Sequence, residues 1–264
     1  MLKCSLMLRN TLLLFFLCPA LLCMQGWSQI RTLSFGSGTS DIDGWANLNT
    51  ANFSGYGGFP GSSAWPGPIG SNVLGSGDAD LGRVSGGSSG GGPFLSSTSI
   101  YFGSFAQVAN AFGGTLRISD ATPLPNLKTL VFQIQIGEAT GYDFYSPSGS
   151  PSLKLNGGST AINPLFTSVV NRYQSGTYAS PVTGLDEPVF VNTRGYQWDL
   201  SSQGAISSFS IDFSGVTHSQ IYALQLNQSS SFFATAVIPE PGVVSFLTAG
   251  ACFFLIRRRA CVVA

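Results

Sequence analysis

Residues 130–136 read Leu-Val-Phe-Gln-Ile-Gln-Ile. If successive side chains alternate, Leu130, Phe132, Ile134 and Ile136 share one face, and Gln133 and Gln135 share the other. This period of two predicts a half-buried strand. Burial of four large apolar side chains contributes on the order of 1.5–3 kcal/mol each. A slip of one residue would turn all four outward, so the pattern fixes the register as well as the element.

The same reading extends outward from this segment. Thr115 to Ser119 alternates, and Leu153-Lys154-Leu155-Asn156 gives a short strand. Val189 to Asn192 and Tyr196 to Leu200 read as strands on either side of a turn at Arg194-Gly195. Phe209, Ile211 and Phe213 alternate with Ser208, Ser210 and Asp212. Gln220 to Asn227 closes the domain with Tyr222, Leu224 and Leu226 inward, and Thr32 to Phe35 is expected to open it. Turn signals lie between these runs, at Pro123 and Pro125, Pro147-Ser148-Gly149, Asn156-Gly157-Gly158 and Ser214-Gly215. Away from the two ends no amphipathic helix exceeds two turns. The expected fold is all-β, a β-sandwich or jelly-roll-like domain with long Gly-rich loops.

Those loops occupy residues 31–92, where Gly55 to Gly61, Trp65-Pro66-Gly67-Pro68 and Gly86 to Pro93 are dense in chain punctuators. Trp45, Phe53, Tyr56, Phe59 and Trp65 interrupt them. A flexible linker has no use for such side chains, so the loops are expected to be ordered and pinned by aromatics.

Only 9% of the 264 residues are charged, against about 25% in ordinary soluble proteins. Between Gln29 and Ile238, seven basic residues face eleven acidic ones. That balance lacks the basic stripe of a nucleic-acid binder. Cys4, Cys18 and Cys23 lie near the start and Cys252 and Cys261 near the end. Residues 29–236 therefore carry neither a disulfide framework nor thiolate ligands.

The start explains part of this segregation. Lys3 and Arg9 precede an apolar run from Thr11 to Met24, and Gly26-Trp27-Ser28 places small residues at the −3 and −1 positions before Gln29. Residues 1–28 read as a secretory signal peptide, and residues 29–236 as the exported domain.

Candidate chemistry in that domain is sparse. Asp41-Ile42-Asp43-Gly44 and Asp78-Ala79-Asp80 alternate acids as calcium loops do. They lack the third oxygen ligand and distant Glu of an EF-hand, so a structural calcium ion on Asp41, Asp43, Asp78 and Asp80 stands against solvated turn acids. No other cofactor is expected. The single histidine, His218, follows Asp212 and precedes Ser219, but no G-x-S-x-G elbow accompanies it. A glycosidase carboxylate pair would have to come from Glu138, Glu187 and nine aspartates. No enzymatic activity is expected. Exposed aromatic rings suit stacking on sugars; Trp45 and Trp65 are the candidates, drawn from a pool that includes Tyr101, Tyr142, Tyr145, Tyr178 and Trp198.

Residues 237–264 form the third unit. Val237-Ile238 leads into Pro239-Glu240-Pro241, where the prolines forbid continued strand or helix. Gly242 to Ile256 is an apolar span of 15 residues, roughly 22 Å long as a helix and short for a bilayer core of ~30 Å. Arg257, Arg258 and Arg259 follow, and a basic flank of this kind stays cytoplasmic. Together with the leader, this predicts a single C-terminal transmembrane helix with the domain exported.

The order of motif, short span, arginine cluster and chain end resembles the PEP-CTERM sorting signal, also described as the ice-binding protein C-terminal domain. Pro239, Glu240 and Pro241 match the recognition motif residue by residue. The five residues Ala260 to Ala264 beyond the arginines are a small departure. The resemblance implies recognition by an exosortase after signal peptidase has acted. It also implies membrane anchoring before processing, and display at the cell surface or in an exopolysaccharide-containing matrix. The expected function is that of a structural or adhesive passenger, with a glycan-binding jelly-roll module as the second reading and an envelope hydrolase as the third.

Overall fold

The computed structural model describes residues 30–238 except Thr32, Ser34, Ser37, residues 57–64, Ser76 and Pro181. The leader, Pro239, Glu240, Pro241, the apolar span and Arg257 to Arg259 lie outside the described residues.

The described chain is all-β. In sequence order the strands are β1 (Ser40–Ala46), β2 (Ile69–Gly70), β3 (Leu74–Gly75), β4 (Asp80–Gly86), β5 (Gly92–Leu95), β6 (Ile100–Gly103) and β7 (Phe112–Asp120). They continue as β8 (Thr129–Gly137), β9 (Ser152–Leu155), β10 (Phe166–Ala179), β11 (Asp186–Asp199), β12 (Phe209–Val216) and β13 (Gln220–Ser229). An eight-stranded sheet runs β10-β11-β8-β13-β1-β3, and β6 joins it through β13 and carries β5. A five-stranded sheet runs β2-β4-β7-β12-β9. Each strand pair in both sheets is antiparallel. Antiparallel sheets can each keep one apolar face, and here the two apolar faces meet in a sandwich-like arrangement.

The opening segment lies in the middle of the larger sheet. β8 pairs with β11 on one side and β13 on the other. Leu130, Phe132, Ile134 and Ile136 enter the main core with Trp45, Leu224 and Leu226 of their own sheet. Leu81, Leu116, Ile118, Ile211 and Phe213 face them from the other sheet. The Phe132 ring packs on Phe213 and Tyr196.

The outer face of β8 corrects the half-buried expectation, because Val131 and Gln133 are buried too. Val131 packs with Val170 and Ile238, and Leu33, Phe35 and Val237 close over them. The Arg31 N–H donates to Gln133 Oε1 at 3.2 Å, and Gln133 Nε2 donates to the Arg31 carbonyl at 2.7 Å. Gln197 Nε2 donates to the carbonyls of Phe233 and Thr235, and its Oε1 accepts from Val237 N–H at 2.9 Å. Both described ends of the chain thus strap the outer face. Glutamines are there because their amides satisfy extended backbone that finds no partner in a sheet. Leu33 and Phe35 form part of this strap, and no strand is assigned to either of these described members of the run expected from Thr32 to Phe35.

Two further expectations are corrected. Arg194-Gly195 makes no turn: β11 runs through it unbroken, with Arg194 opposite Ile134 and Gly195 opposite Gln133. The glycine serves close approach, since a Cβ there would lie 2.3 Å from Ile238 Cδ1. Tyr222 is not inward. A bulge between Ile221 and Ala223 shifts the register of β13 against β8. It leaves Ile221, Leu224 and Leu226 in the core and turns Tyr222 to the outer face.

The Gly-rich loop 86–92 is ordered by backbone packed on backbone. A Cβ on Gly87 would lie 2.6 Å from the Gly113 backbone, and one on Gly113 would lie 2.8 Å from Gly215 and Val216 backbone. Glycine is required here by contact rather than by looseness.

Candidate functional site

At one end of the larger sheet, on its outer face, the ends of five strands form a cleft of about 490 Å³. Tyr101 comes from β6, where Ile100 and Phe102 on either side point into the core. Gln220 and Tyr222 come from the start of β13, Glu138 from just beyond β8, and Tyr178 from the end of β10. His218 reaches the cleft from the turn joining β12 to β13.

The turn holds His218 at φ +74°, a left-handed conformation that is uncommon for a side-chain-bearing residue. Its N–H donates to the Phe102 carbonyl at 2.7 Å, and the Ser219 N–H donates to Val216. The turn is therefore tied to both β6 and β12, and the strained backbone presents the ring to the cleft. His218 Nδ1 lies 2.6 Å from the Tyr101 hydroxyl. Burial lowers the His218 pKa below its ordinary value, and the Ala106 backbone opposes this. Its Nε2 is buried and makes no hydrogen bond of ordinary geometry. Burial, helped by Tyr178, raises the Tyr101 pKa, and burial, helped by Tyr173, raises that of Tyr222.

Glu138 is fixed by its neighbours. Arg172 donates to both carboxylate oxygens at 3.1 Å, and Asn192 Nδ2 donates to one of them at 2.7 Å. The Arg172 guanidinium in turn lies over the Phe190 ring, 3.7 Å from its centroid. Tyr178 accepts from the Thr140 N–H and donates to Glu187, while Tyr222 donates to Gln220 Oε1. The wall thus offers three phenol rings, an imidazole, a primary amide and a neutralised carboxylate. Such a set packs against the C–H face of a neutral, hydroxyl-rich ligand and hydrogen-bonds its rim.

The grouping of Ser, His and Asp does not form. Asp212 lies on the outer face of the smaller sheet, where Arg117 donates to it at 2.5 and 2.8 Å and Lys154 at 3.0 Å. These cations and their hydrogen bonds hold its pKa below the usual carboxylate value, against the opposing effect of burial. Ser219 Oγ donates to the Val216 carbonyl.

Comparison with family models, with curated proteins and with solved structures returns no match. The site is therefore read from its own chemistry.

The two tryptophans chosen from the sequence are elsewhere. Trp45 is 0% exposed, lies in the main core, and donates its indole N–H to the Ile69 carbonyl at 2.8 Å. It cannot stack on a sugar, and that assignment is corrected. The reason is the alternation of β1, which sends Asp43 and Trp45 inward together. Trp65 is half-buried against the same core. Trp198 is buried and donates to Ile162.

The four aspartates are divided. Asp41 and Asp43 share the inner side of β1, Asp78 precedes β4, and Asp80 begins it. Ala79 and Leu81 point into the core, so Asp80 alternates to the outer face and leaves the group. Asp120, at the end of β7, takes its place, which nothing in the local sequence signals. Asp43 is 0% exposed and neither of its oxygens has a hydrogen-bond partner. Burial, followed by the charges of Asp41 and Asp120, pushes its pKa up to about 7; the nearby Ala79 backbone, although it forms no hydrogen bond of ordinary geometry, relieves this in part, and Asp78 adds a smaller push. Among the described residues, no three acid or imidazole side chains stand close enough together to share a metal ion as they are.

Proposed function

We propose that this chain is an exported, surface-sorted adhesive protein without catalytic activity, and that its domain holds polysaccharide in the tyrosine-lined cleft. The single observation that carries the adhesive half is the convergence of Tyr101, Tyr178 and Tyr222 with His218, Gln220 and Glu138 around one opening. Glu138 is already tied by Arg172 and Asn192, which suits a fixed acceptor better than a proton donor in turnover. The walls are largely aromatic and their carboxylate is already paired with Arg172, which suits uncharged sugar units over phosphate or nucleic acid.

The sorting half rests on the leader and the tail. In this reading the domain is a jelly-roll-like sandwich delivered by a signal peptide cleaved before Gln29. Gly242 to Ile256 is a transient transmembrane helix, Arg257 to Arg259 stop transfer, and an exosortase acts at Pro239-Glu240-Pro241. Cleavage there spares the outer-face strap, because its last described anchor, Ile238, is buried one residue before the motif. The processed domain keeps its cover.

The test has two readouts on protein from cells that possess an exosortase. Mass spectrometry of the mature chain should find its C-terminus near Pro239–Gly242, with Arg257 to Arg259 absent, and the released protein should be retained on the cells' own polysaccharide. An intact arginine tail in the mature protein would reduce the tail to a plain anchor. Passage through the polysaccharide without retention would remove the adhesive half.

A further inference from the structure

The geometry points to a divalent cation of the calcium type at the inner end of β1, held by the carboxylates of Asp43, Asp78 and Asp120. This site is separate from the tyrosine cleft and does not depend on the proposed function.

Three observations carry it. The first is the isolation of Asp43. A fully buried carboxylate with no hydrogen bond of ordinary geometry on either oxygen, eased only in part by the nearby Ala79 backbone, is a costly arrangement, and buried charges are as a rule paired or bound to metal. None of the four ion pairs among the described residues, two on Asp212 and one each on Glu138 and Asp143, includes Asp43, Asp78 or Asp120.

The second is the way the other carboxylates are held. Asp120 is buried at the end of β7 and accepts from the Thr122 N–H at 2.8 Å and from Gln228 Nε2 at 2.6 Å. Thr122 also donates its hydroxyl to Asp78. Gln228 sits opposite Asp41 in the pairing of β13 with β1, so its bond to Asp120 spans the two sheets. Neutral donors thus hold Asp78 and Asp120, linked to one another through Thr122, and leave their charge uncompensated. The same two groups, with Asp41, act electrostatically on Asp43.

The third is the backbone around Asp43. Gly77 lies directly against the carboxylate, and a Cβ there would sit 2.1 Å from Oδ2. Its N–H donates to the Ile42 carbonyl at 3.2 Å. Gly77 can stand there only because it has no Cβ to collide with the carboxylate. Calcium takes six to eight oxygens in adaptable geometry, from carboxylates, carbonyls and water alike. The donors here are all oxygen, the exported domain has no cysteine, and its one histidine lies in the cleft, which selects a hard cation over zinc or copper. Since the carboxylates do not yet stand at coordination spacing, binding draws them inward by side-chain rotation and fastens β1 to the end of β7.

The experiment is a thermal melt of the full chain, in millimolar calcium and in EDTA, at a pH above 8. Calcium should raise the midpoint by roughly 5 °C. Asp43→Asn should abolish that shift, and Asp80→Asn, on the outer face, should keep it. Retention of radiolabelled calcium by wild-type chain in equilibrium dialysis is the second measurement, and it stands even if Asp43→Asn fails to fold. Equal midpoints in calcium and EDTA with no calcium retained, or a shift that survives in Asp43→Asn, would overturn the site. In the first case, a more stable Asp43→Asn would identify Asp43 as a buried neutral acid.

Discussion

Trp45→Ala is expected to lower folding stability by about 3–5 kcal/mol, the range for removing a large aromatic side chain from a core. The indole is fully buried in the main core beside Ile69, so its removal leaves a cavity there. The substitution also deprives the Ile69 carbonyl of its donor, which adds the desolvation penalty of an unpartnered acceptor. For a domain of this size the melting midpoint should fall by roughly 10 °C. Calorimetry of wild type and variant measures this directly. A loss of ligand retention by this variant should follow its unfolding, not precede it. A Trp45→Ala protein that melts like wild type yet fails to bind would mean that the ring is a binding group after all.

Phe132→Ala should be comparably damaging, again about 3–5 kcal/mol. Phe132 lies on the central strand of the larger sheet and meets Phe213 from the smaller one at 5.6 Å between ring centroids. Tyr196 stacks on its other side at 6.3 Å, so the lost ring forfeits two aromatic contacts as well as its buried area. Phe132→Leu, which keeps most of the volume, should recover more than half of the loss. Urea denaturation of the three proteins checks the order. Equal destabilisation by Leu and Ala would show that the rings, rather than the filled space, hold the two sheets together.

These two residues also show what could be read from the sequence. Phe132 sits in an uninterrupted period-two run, and such a run states both its strand and its buried face. Trp45 has the same alternation with Asp43, but the flanking glycines and acids read as loop chemistry, and the pull of a core tryptophan on the strand was not legible. β10 was missed for a related reason. Phe166 to Ala179 is an edge strand, largely exposed, so it has little apolar alternation to display. The second buried face of β8 depends on Arg31, Leu33, Phe35 and the residues from 233 to 238 lying against it, and a period cannot report a distant segment. Tyr222 was misassigned because a bulge changes the phase of its strand within one residue.

The candidate sites divide along the same line. Tyr101 and Tyr178 belonged to the aromatic pool, but only the topology brings them to His218 and Glu138. Asp41, Asp43 and Asp78 were visible as alternating acids, whereas Asp120 stands alone in sequence and is linked to Asp78 only through Thr122. Both sites arise from strand ends that are far apart along the chain.

The central claim is that the tyrosine cleft holds polysaccharide. Equilibrium binding of the processed, surface-released protein to the producing cells' polysaccharide tests it most directly, with wild type compared with the Tyr178→Ala/Tyr222→Ala double variant. Two lost anchor rings, at about 1–2 kcal/mol each, predict an affinity at least tenfold weaker, with the fold confirmed by an unchanged circular dichroism spectrum. A double variant that is folded and binds as tightly as wild type would contradict the claim.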